Sequence, residues 1–99
     1  MILVTGHFRV SPDKVEALRP QMQAVIEANR EEDGCYLFAY GEDVLDPGLI
    51  RVVERWRDWE SLDAHARSAH VAAWRRAVEA AGIVEREVIA HAASEERRL

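Results

Sequence analysis

Cys35-Tyr36-Leu37-Phe38-Ala39-Tyr40 and Leu49-Ile50-Arg51-Val52-Val53-Glu54-Arg55-Trp56-Arg57, joined across Gly41–Gly48, are the stretch on which the fold turns. Both arms are rich in β-branched and aromatic residues. The second arm alternates, with Ile50, Val52, Glu54 and Trp56 on one face and Arg51, Val53, Arg55 and Arg57 on the other. Asp43, Asp46-Pro47 and Gly48 mark the connection as a turn, which makes the two arms an antiparallel hairpin.

Upstream, Ile2 to Val10 reads as a strand carrying Ile2, Val4, Phe8 and Val10 on one face. Ser11-Pro12-Asp13 supplies an N-cap, a proline at the first helical position and an acid in the first turn. Val15, Leu18, Met22, Val25 and Ile26 follow at helical spacing, and the helix is expected to run to Asn29–Glu32 and stop at Gly34. Pro20 lies inside it, so Glu16 and Pro20 are placed towards solvent.

Downstream, Asp58 is expected to cap a short helix from Trp59 to about Arg67, and Ser68 a second one. Val71, Trp74, Ala77, Val78 and Ala81 form the second helix's stripe, which ends at Gly82. Ile83 to about Ala93 reads as the last strand and residues 94–99 as a polar tail of a single domain, 1–99. The β-α-β-β-α-β order is that of an α+β, ferredoxin-like fold with a four-stranded antiparallel sheet. Right-handed connections place both helices on one side of that sheet. Simple alternation then assigns Tyr36, Phe38, Tyr40, Val53, Ile89, His7, Arg51 and Arg55 to the uncovered side. So aromatic a face is expected to be covered by a second copy of the chain, giving a homodimer with His7 and His91 at the interface.

Within the 99 residues, 48% are hydrophobic and 31% charged, which places the chain among globular rather than disordered proteins. Asp and Glu outnumber Lys and Arg 18 to 13, and no basic face emerges, so a nucleic-acid partner is not expected. One cysteine, Cys35, closes no internal disulfide, and the N-terminal residues show neither a signal-peptide pattern nor a membrane span. A cytoplasmic protein without membrane attachment is the resulting expectation.

Glycine loops for phosphate, Cys-x-x-Cys and His-Glu-x-x-His are all missing, so no metal site is expected. Ser11, Ser61 and Ser68 read as capping or first-turn residues rather than nucleophiles. What remains is Glu54-x-Trp56, then Leu62-x-x-His65, then Ser68-x-His70. Glu54 falls on the helix-facing side of its strand, where a carboxylate is either satisfied by a donor or raised in pKa for proton transfer. His65, three residues after Leu62, faces inward as a hydrogen-bonded structural histidine or as a base. His70 suits a local cap as well as an anion partner, and Trp74 suits the core as well as a ligand wall.

These pieces, with Gly34-Cys35 entering the second strand, resemble the antibiotic biosynthesis monooxygenase domain family over residues 1–93. The resemblance implies a subunit that pairs into a dimeric α+β barrel. For the quinol and anthrone monooxygenases of that family it also implies O2 as co-substrate without a bound cofactor. On this reading His65 or Glu54 is the catalytic base, Trp56 and Trp74 are substrate-binding walls, and His70 or Arg86 is the anion partner. Strand parity places Arg86 inward. The haem-degrading branch uses an Asn on the first strand, where this chain carries Gly6 and His7, and its helix positions correspond to His65 and Arg75, so haem degradation is not expected. The expected function is oxidation of a phenolic or quinol-like small molecule. The alternatives are a small-molecule isomerase, or a non-catalytic ligand-binding or stress-associated dimer in which His65 and Glu54 satisfy each other.

Overall fold

The computed structural model describes residues 1–99. Its elements are β1 (Ile2–Arg9), a 3-10 turn (Pro12–Lys14), α1 (Val15–Arg30), β2 (Cys35–Glu42), β3 (Leu49–Trp56), α2 (Trp59–Ala66), α3 (Ala69–Ala81) and β4 (Glu85–Ala92). The four strands form one antiparallel sheet in the order β2-β3-β1-β4. The ferredoxin-like arrangement expected from the element order is therefore present.

Ser11 does not cap α1. It precedes the 3-10 turn, its hydroxyl bonds the Asp13 carboxylate, and α1 begins only at Val15. The proline at the first position of that turn costs no hydrogen bond, because the amide it lacks would be unpaired there. Val15, Leu18, Met22 and Val25 are buried as their spacing requires, and Glu16 and Pro20 are exposed. Asp58 and Ser68 do cap α2 and α3, accepting from the amides of Ser61 and Val71.

The register of β2 corrects the face assignment of Phe38 and Tyr40. Cys35 opposes Trp56 and Leu37 opposes Arg55, so Tyr36 is the extra residue of a bulge. One inserted residue reverses the parity of everything after it. Phe38 consequently opposes Glu54 and Tyr40 opposes Val52, both facing the helices, while Leu37 and Ala39 face outward with Arg55 and Val53. Energetics favours the bulge. Burying Phe38, 2% exposed, contributes about 1.5–3 kcal/mol. The disturbed ladder position costs about 0.5–1.5 kcal/mol.

The core forms two clusters between helices and sheet. The larger joins Phe8, Ile50, Val52, Trp74 and Val78 to the buried side of α1, and the smaller holds Ile2, Val4, Phe38 and Trp56. Gly6 lets the sheet close over this core: a Cβ there would run into the carbonyl of Glu87 and the Cα of Val88 on β4. On the opposite side the register aligns Leu3, Thr5, His7, Leu37, Ala39, Arg51, Val53, Arg55, Ile89 and His91. Several charges of that side are paired at its edges, Arg9 with Asp46 and Glu85, and Arg51 with Asp43. No helix is long and apolar enough to cross a membrane.

Candidate active site

Alternation along β3 sends Val52, Glu54 and Trp56 inward together. Trp56 is fully buried, and its Nε1–H donates to Glu54 Oε1 at 2.8 Å. Burial pushes the Glu54 carboxyl above the usual carboxylate range, against the opposing effects of the Trp56 hydrogen bond and the nearby His65 and Arg86. Glu54 is thus a carboxyl group suited to holding a proton.

Asp58 starts α2, and Ser61 and His65, one turn apart, are the buried side chains of that helix. The His65 ring lies 4.7 Å from the Trp56 indole, centroid to centroid, and 5.7 Å from Phe38. Its Nδ1 is 2.8 Å from Glu32 Oε1, and His70 Nε2 is 2.6 Å from the same oxygen. Because a carboxylate oxygen accepts, both rings present an N–H to it. In the neutral ring this arrangement puts the lone pair of His65 on Nε2, the form a general base requires.

Glu32 escaped sequence reasoning because it sits in the acidic run Glu31-Glu32-Asp33, with nothing in its spacing to single it out. What positions it is Gly34. With φ at 84°, this residue turns the chain from α1 into β2, and a Cβ there would collide with the Ser61 side chain. The ring nitrogens of His65 and His70 and a Glu32 oxygen all lie within 4.8 Å of one another. The observed 2.6 and 2.8 Å are hydrogen-bond separations, so Glu32 bridges two imidazoles as a hydrogen-bond acceptor.

A cavity of about 340 Å³ opens beside this cluster. Glu54, His65, Trp74 and Arg86 line it, together with Phe38, Tyr40, Val52 and Asn29. Arg86 reaches it because β4 pairs Arg86 with the inward-facing Phe8. Trp56 lies behind the wall, orienting Glu54, and His70 stands behind Glu32 rather than acting as a backbone cap. His65 and Glu54 do not satisfy each other: each has its own partner, Glu32 and Trp56. Burial and the neighbouring Glu54 push the Tyr40 phenol far above its ordinary range, so Tyr40 serves the cavity as a neutral hydroxyl. Neither amide atom of Asn29 has a protein partner, an arrangement that costs about 1–3 kcal/mol for a buried polar group.

The profile of the antibiotic biosynthesis monooxygenase family matches residues 1–77. The chain belongs to that family. The antibiotic biosynthesis monooxygenase match contains every motif of the site except Arg86, since it ends within α3. A Mycobacterium tuberculosis protein provisionally named a monooxygenase is 35% identical over 77 residues, 78% of this chain and 75% of its own length. Its solved structure superposes with a TM-score of 0.85 over 98% of both chains. An uncharacterised Synechocystis protein is 33% identical over 69 residues, which are 70% of this chain but only 47% of that protein. A Deinococcus radiodurans crystal structure, provisionally described as an antibiotic biosynthesis monooxygenase, has a TM-score of 0.93 over 100% of this chain and 98% of its own. At 24% identity that likeness speaks to the fold, and it extends the family fold through β4.

Proposed function

We propose that this chain is a cofactor-independent monooxygenase that oxidises a phenolic or quinol-like small molecule with O2. The observation that carries the reading is His65, anchored through Nδ1 on Glu32 and set in the wall of an aromatic-lined cavity. His65 Nε2 removes a proton from the substrate, and Arg86 faces the anion that forms. The anion passes one electron to O2, which avoids the spin barrier to direct reaction. The two radicals combine to a peroxide anion that regains the proton held by His65. The hydroperoxide then gives up its C–H proton to His65 and its outer oxygen as water, leaving one oxygen atom in the product and the other in water. Trp74 and Phe38 supply the apolar wall, Trp56 holds Glu54, and Glu54 returns a proton to the departing oxygen. The test is O2 uptake by the purified protein with a panel of hydroquinones and anthrones. Uptake above buffer autoxidation is expected. Its absence across the panel, or turnover that proceeds without O2, overturns the reading.

The same proposal includes a second copy of the chain on the open sheet face. Leu3, Leu37, Ala39, Val53 and Ile89 give that face an apolar centre, and the paired charges of Arg9 and Arg51 lie at its edges. Sedimentation at micromolar concentration is expected to give the mass of a dimer, and a compact monomer overturns this part. The scheme uses no bound cofactor, nucleic acid or membrane, and the cytoplasm is its proposed setting.

A further inference from the structure

Asn29 occupies the next buried position of the α1 stripe after Val15, Leu18, Met22 and Val25, where an aliphatic side chain would complete the pattern. Asparagine is also a poor helix former. The residue is 1% exposed, and neither Oδ1 nor Nδ2 meets a hydrogen-bond partner in the protein. Its backbone carbonyl, by contrast, accepts from the Glu32 amide at 3.1 Å. Asn29 lines the cavity that holds Glu54, His65, Tyr40 and Arg86. Buried polar groups in folded proteins are almost always paired, with protein or with ordered water, so a carboxamide without a protein partner at a cavity wall takes its partner from the cavity.

We propose that Asn29 is the specificity-determining contact of this cavity. Its ligand presents a hydrogen-bond donor and an acceptor on neighbouring ring atoms, as in a lactam or in a ketone beside a hydroxyl. A carboxamide carries an acceptor and a donor in one plane, so such an edge pairs with both in two parallel hydrogen bonds. An isolated hydroxyl satisfies one atom and leaves the other orphaned, which is the basis on which polar sites reject incomplete ligands. Glu54 and His65 are each oriented by one protein partner, Trp56 and Glu32, whereas both atoms of the Asn29 amide are without one, and it is this amide that reads the edge. The inference rests on reading the cavity as the substrate site, and on no step of the oxygen chemistry.

The probe is 2-quinolone, whose ring N–H sits beside its carbonyl, with N-methyl-2-quinolone as the donor-blocked control. Calorimetric titration of the wild-type protein is expected to show at least about tenfold tighter binding of 2-quinolone. Asn29→Leu is expected to erase that preference while melting at or above the wild-type temperature, because leucine completes the stripe and removes two orphaned atoms. Equal affinity for the two probes in the wild type, or no binding of either, overturns the proposal. So does an Asn29→Leu protein that melts lower and keeps the preference, since the amide is then structural. Should leucine prevent folding, Asn29→Ala, which cannot clash, must lose the preference as well, and its retention overturns the proposal. These are binding measurements without O2 consumption, so they succeed or fail independently of the uptake assay.

Discussion

Replacing His65 by alanine is expected to lower turnover in the O2-uptake assay by about 10²–10⁴-fold, the range a positioned general base contributes. The substrate concentration at half-maximal rate should move far less, because the cavity keeps Trp74, Phe38 and Arg86. Glu32→Gln should fall between the two, about tenfold below wild type. Glutamine still accepts from Nδ1 of His65 and keeps the ring oriented, but it no longer offers a negative charge to the imidazolium that forms. A His65→Ala protein of normal melting temperature and unchanged rate would remove His65 from the mechanism. Equal rates for Glu32→Gln and wild type would reduce Glu32 to a structural support.

The second large effect concerns Glu54 and is read as stability against pH. Burial raises its pKa in the folded chain above the unfolded value. Such a group contributes stability that is fully present below the ordinary glutamate pKa of about 4.3, and that contribution is lost as pH rises through the folded value. Glu54→Gln does not titrate, and its side-chain carbonyl can still accept from Trp56 Nε1. The variant is therefore expected to match wild type near pH 4 and to be more stable at neutral pH, by about 1–3 kcal/mol. In a chain of this size each kcal/mol moves the melting temperature by about 4–8 °C. Thermal melts from pH 4 to pH 8 check this, and parallel curves for the two proteins would rule it out. The same variant should lose activity, because it can no longer hold a transferable proton at the cavity wall.

Several elements of this site were legible in the residue pattern. Alternation in β3 placed Glu54 and Trp56 on one inward face, and the register agrees. The Asp58 cap and the spacing from Leu62 to His65 turned the histidine inward, where it is 8% exposed. Parity along β4 brought Arg86 to the inner side, and the cavity includes it. Phe38 and Tyr40 were not legible, because a bulge at Tyr36 changes parity without any glycine or proline to announce it. Glu32 and Asn29 were not legible either. Each lies near the end of α1, where the pattern marks a helix stop and gives no hint of partners.

By itself, then, the chain's periodicity determined the element order, the side of the sheet that the helices cover, and the inward positions of Glu54, Trp56, His65 and Arg86. Those features follow from local rules of 2.0- and 3.6-residue spacing, which each segment obeys on its own account. Tertiary structure alone decided that Glu32 bridges His65 and His70, residues 33 and 38 positions further along the chain. It also decided that Asn29 reaches the cavity with its amide unpaired, and that Phe38 enters the core. Spacing states which way a side chain points, whereas a hydrogen-bond partner or an orphaned atom depends on what another segment brings against it.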